Sequence, residues 1–84
     1  GVEAAVVRSA KGVAIVLFNW TGRPLPQGSV DVTLLGRDTF ALAFHGDLSA
    51  LTPRRTAEGT TVTVPLETVD VVRLCHRADD PECR

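Results

Sequence analysis

Between Gly12 and Gly22 the chain reads Gly-Val-Ala-Ile-Val-Leu-Phe-Asn-Trp-Thr-Gly, and every residue from Val13 to Phe18 is apolar. The run is much shorter than the roughly 20 residues a helix needs to cross a bilayer. Its β-branched and aromatic content between two glycines points to a buried strand rather than a helix. A strand that is apolar on both faces has to be covered on both faces. The rest of the sequence offers shorter, half-buried strands to cover it.

Before this run, Val2 to Arg8 carries Val2, Ala4, Ala5, Val6 and Val7, and Ser9-Ala10-Lys11-Gly12 then supplies a turn ending in glycine, the pattern of a hairpin. After it, Thr21 to Gly28 contains Gly22, Pro24, Pro26 and Gly28, which suits a crossover or an exposed loop. Ser29 to Leu35 alternates, with Val30, Val32 and Leu34 on one face and Ser29, Asp31 and Thr33 on the other. Gly36-Arg37-Asp38 turns the chain into Phe40, Leu42 and Phe44, and His45-Gly46-Asp47 turns it again. Pro53 confines Leu48 to Thr56 to an edge strand or an irregular connection, with Arg54-Arg55 as a solvated edge that discourages strand addition. Thr61 to Val64 and Val69 to Leu74 form the last pair, and the interruption from Pro65 to Thr68 permits a bend between sheets. Roughly six to seven strands with frequent turns and no helical period predict an all-β fold, a small antiparallel β-sandwich of immunoglobulin-like or Greek-key type. Residues 1–74 make the sandwich domain and 75–84 a polar C-terminal tail.

A domain of 84 residues buries only about 60–65% of the surface its unfolded chain exposes, so the core is modest. The net charge of −1 provides no concentrated basic face, which argues against nucleic acid and against an anionic membrane as partners. Lys11 is the one lysine among the basic residues, an arginine-rich habit that suggests a GC-rich bacterial genome. The chain opens on Gly1 rather than methionine, with no charged segment and apolar signal core ahead of Val2, and the expectation is a piece of a longer polypeptide.

Few residues here carry chemistry. Cys75 and Cys83 flank a polar turn and either close a short loop worth about 2–3 kcal/mol or remain free thiols. Pairing would imply a secreted or periplasmic protein, and free thiols a cytoplasmic one. Cys75, His76, Cys83 and Asp79 or Asp80 lack the usual zinc-ligand spacing, and no metal or cofactor is expected. His45, Asp47 and Ser49 fall within one turn, whereas a triad converges from separate elements. No catalytic residue is expected, since paired carboxylates and a glycine-rich phosphate loop are also missing. Asn19-Trp20-Thr21 matches a glycosylation sequon, but Asn19 ends a buried strand. Trp20 is the residue able to stack on a sugar ring, with Arg23 as a neighbouring polar group. Sugar-binding modules present more than one aromatic, and Phe18, Phe40 and Phe44 occupy core-spaced positions, so Trp20 is expected in the core or at an interdomain contact.

The apolar strand running into Asn19-Trp20-Thr21-Gly22, together with Val62-Thr63-Val64-Pro65-Leu66-Glu67-Thr68-Val69-Asp70-Val71-Val72, resembles the small C-terminal β-sandwich domains that follow the catalytic barrel in many glycoside hydrolases. In those domains an early strand ends in Asn plus an aromatic, and a Pro-Leu corner precedes the last apolar strand. The resemblance covers Val2 to about Leu74. It implies a non-catalytic accessory module that packs on the catalytic domain of the same polypeptide, stabilises it and sometimes contacts carbohydrate. An apolar patch that meets this neighbour should then be exposed on the isolated chain. The rival expectations are a carbohydrate-binding module using Trp20 and Arg23, and an immunoglobulin-like domain whose strand edges mediate protein contacts.

Overall fold

The structure, a computed structural model, describes residues 1–79. Its eight strands are β1 (Val2–Arg8), β2 (Gly12–Asn19), β3 (Ser29–Leu35), β4 (Leu42–His45), β5 (Ser49–Leu51), β6 (Arg54–Arg55), β7 (Gly59–Pro65) and β8 (Val69–Cys75). They form two antiparallel sheets, a five-stranded one in the order β1-β2-β8-β4-β5 and a three-stranded one in the order β3-β7-β6. The fold is the all-β sandwich that the periodicity predicts. The expected strand count is exceeded because Pro53 divides the irregular stretch after Leu48 into two short strands in different sheets, β5 and β6.

Each connection follows from its turn residues. The Ser9 N–H donates to the Gly12 carbonyl at 2.9 Å and closes the β1–β2 hairpin. A side chain at Gly12 would collide with the Leu74 carbonyl, so only glycine lets β2 begin this close to β8. Thr21 to Gly28 is a crossover from the larger sheet to the smaller, and the Pro65–Thr68 corner carries the chain back.

The core lies between the sheets. Val13, Ile15 and Leu17 of β2, Val72 and Leu74 of β8 and Ala43 of β4 meet Leu34 of β3, Val62 and Val64 of β7, and Leu66 from the corner. Every one of these is buried, and alternation then sends the residues between them outward. On β2 those are Ala14, Val16 and Phe18, which are only half-buried. The expectation that the central strand is covered on both faces therefore fails within this chain. One face of β2 packs in the core, and among the described residues no strand or loop seals the other.

The phenylalanines depart from expectation: Phe18 and Phe44 are half-buried on the outer face, and Phe40 is half-buried against the edge of the core. Trp20 is 63% exposed, which excludes the core and leaves the expectation of an interdomain contact standing. The core is aliphatic, because the narrow space between a five-stranded and a three-stranded sheet is filled by valine, leucine and isoleucine side chains. The expected boundary between body and tail at 74/75 falls inside the last strand. Cys75 is fully buried within β8, the Cys75 carbonyl accepts from the Ala41 N–H, and the His76 ring stacks on Phe40 at 4.8 Å.

Candidate functional site

The residues named from sequence separate into three places. Asn19 ends β2 and is buried. Its amide nitrogen donates to the Arg23 and Glu67 carbonyls, each at 2.9 Å, while its side-chain oxygen accepts from the Thr21 hydroxyl at 2.6 Å and the Thr21 N–H at 3.1 Å. Every hydrogen-bonding position of the amide is thus used to fasten the crossover loop to the Pro65–Thr68 corner. The same nitrogen would have to carry a glycan, so the folded domain offers no acceptor in Asn19-Trp20-Thr21. The two stretches that carry the resemblance meet here, since the Asn19 N–H also donates to the Thr68 carbonyl at 2.7 Å.

Arg23 lines a cleft of about 820 Å³ with Leu25, Glu67, Thr68 and Asp70. Trp20 is not among the lining residues. It stands on the outside of the larger sheet, its ring stacked on Phe18 at 5.3 Å and 13°. The structure therefore divides the expected sugar-binding pair between the cleft and the outer face.

His45, Asp47 and Ser49 do not assemble into a triad. Ser49 Oγ donates to Asp47 Oδ1 at 3.1 Å in an exposed turn. His45 Nδ1 instead lies 2.8 Å from Asp70 Oδ2, on the neighbouring strand β8. The other Asp70 oxygen accepts from the Gly46 N–H at 2.9 Å and from the Val71 N–H at 2.7 Å. This pair was missed from sequence because the partners are 25 residues apart and only the strand register aligns them. Chemically, it is a clasp that ties the β4–β5 turn to β8.

Among the described residues no group of three histidine, cysteine or acidic side chains converges as a metal site. His76 Nδ1 lies 3.0 Å from the Thr39 carbonyl, and Asp79 pairs with Arg77. Among the same residues no cysteine is free. Cys83, the other half of the expected pair with Cys75, lies outside the described residues, as does Asp80.

The largest coherent feature is a surface. On the outer side of the five-stranded sheet, Ala5 and Val7 of β1, Ala14, Val16 and Phe18 of β2, Val69 and Val71 of β8, and Phe44 of β4 share one face in register. Trp20 extends it beyond the end of β2. Val7 is 62% and Val69 54% exposed, and Glu3 and Arg73 are the charged residues that interrupt the face. At its margin Leu48 holds a left-handed backbone, with φ of 74°, a conformation that is costly for a branched side chain.

No protein family, curated protein or solved structure matches this chain.

Proposed function

We propose that this domain is a non-catalytic docking module, and that the outer face of its five-stranded sheet packs against another domain of the same polypeptide. The apolar face centred on Val16, Phe18 and Val69 carries the reading. Contiguous apolar surface of this kind marks an interaction site on a soluble domain, whereas single scattered hydrophobics do not. The resemblance to accessory sandwiches of glycoside hydrolases supplies the identity of the partner, a carbohydrate-active catalytic domain. The chemistry-bearing side chains support a structural role as well. Asn19 and Asp70 are both spent on holding loops.

Placing lysine at Val16 and Val69 tests the proposal. Both side chains point away from the core, so the isolated domain should keep its fold and gain solubility. The natural polypeptide carrying the double variant should lose the domain to limited proteolysis at the junction and melt at a lower temperature. An unchanged melting temperature and digestion pattern would contradict the proposal.

A second reading has one observation behind it. Trp20 is exposed and stacked nearly parallel on Phe18, so Phe18 takes one face of the indole and the opposite face is the one on which a sugar ring would stack. In that case the domain binds carbohydrate itself. Trp20 is the sole tryptophan, so its emission responds to one site. A shift in emission with one soluble polysaccharide, abolished by Trp20→Ala, is the expected mark of that activity.

A further inference from the structure

We propose that β1 is a self-association strand. Two copies of the chain pair β1 to β1, antiparallel about a two-fold axis at Ala5, and join their five-stranded sheets into one. This goes beyond the docking reading, because it uses the sheet's edge rather than its face.

The backbone pattern exposes that edge. Trp20 N–H donates to the Gly1 carbonyl and Ser9 N–H to the Gly12 carbonyl, which fixes the odd-numbered residues of β1 as those bonded to β2. The N–H and C=O groups of Val2, Ala4, Val6 and Arg8 therefore lie along the free edge. From Glu3 to Arg8 the side chains are exposed whichever way they point, so neither face of the strand is covered. The other sheet edges are blunted. β5 spans three residues, β6 two arginines beside Pro53, and β3 carries Asp31. A long, apolar, unprotected edge is a template for an added strand.

Register selects a second copy as that strand. Glu3 points to the outer face near one end of β1, and Arg8 to the inner face at the other end, where it pairs with Asp38, so antiparallel pairing brings neither against a like charge. With Ala5 on the axis, Val2 faces Arg8, Glu3 faces Val7 and Ala4 faces Val6. All of β1 is then paired, and no like charges oppose one another. The outward-pointing groups of Val2, Ala4, Val6 and Arg8 meet each other and close the ladder. A register centred on Glu3 or on Arg8 would oppose like charges directly.

Analytical ultracentrifugation of the purified chain over a range of concentrations tests this, with a dimer expected. Val6→Pro removes an N–H that points to the free edge and bonds nothing in β2, so the monomer should fold while the dimer Kd rises roughly tenfold or more. Val6→Lys provides the same readout without proline. Ala5→Cys should form a covalent dimer under mild oxidation, since directly opposed residues at the axis lie within disulfide reach. A monomer at every concentration would overturn the proposal. So would a dimer indifferent to both Val6 variants, one that Ala5→Cys does not cross-link, or one abolished by Val16→Lys and not by Val6→Pro.

Discussion

On the outside of β3 and β7, Thr33 and Thr61 share a hydrogen bond at 2.8 Å, Thr63 donates to Asp31 at 2.5 Å, and Arg54 reaches Thr63 at 3.3 Å. On the outside of β2 and β8 the corresponding places belong to Val16, Phe18, Val69 and Val71. Both sheets bury their inner faces in the same core. Their outer faces differ because one meets water with bonded polar groups, while the other leaves aliphatic and aromatic side chains half-buried or exposed, with no strand or loop among the described residues laid across them. A sandwich stable by itself needs only the first kind of face. The second kind adds nothing to the core of the isolated domain, and the docking proposal assigns it to a partner.

The comparison can be pressed hardest along β2, where neighbouring residues serve opposite faces. Leu17→Ala should cost about 2–5 kcal/mol in denaturant unfolding, because Leu17 is sealed in the core. Val16→Thr, one position away, should cost under about 1 kcal/mol in the isolated chain. Equal losses would mean that the outer face is already packed. At the end of β8, Asp70→Ala leaves the Gly46 and Val71 N–H groups without their side-chain acceptor and should cost about 1–3 kcal/mol. A smaller loss would remove the clasp from the account of how the larger sheet is held.

The subtler differences lie at the margins. Leu48→Gly relieves a left-handed backbone and should stabilise the isolated chain by about 1 kcal/mol, while weakening the natural polypeptide if Leu48 belongs to the docking face. On the polar face, Arg54→Ala removes an ion pair with Asp31 whose side chains are both more than half exposed, and unfolding should change by less than about 1 kcal/mol. A large effect there would show that the polar face bears load after all.

Most of the fold was legible in the sequence. Alternation in Ser29–Leu35 and Thr61–Val64 marks the smaller sheet, since a face that meets water there has to be polar. The breakers at Thr21–Gly28 and Pro65–Thr68 mark the crossings between sheets. Val13–Phe18 is legible only in part, because continuous apolar sequence states that both faces want cover without stating that this chain supplies it. The amphipathic character of Trp20 suits either the core or a domain contact, and only the strand's parity, which puts it outside, removes the core. His45 with Asp70 was not legible, because their contact depends on the register of β4 against β8, which no local pattern encodes.

The most direct measurement is covalent footprinting of both outer faces, read by mass spectrometry, on the isolated chain and on the natural polypeptide in which the proposal places it. Val16, Phe18, Trp20 and Val69 should label strongly in the isolated chain and be protected in the natural polypeptide, while Thr33, Thr63 and Arg54 label equally in both. Equal labelling of the apolar face in the two samples would contradict the claim that it is a docking surface.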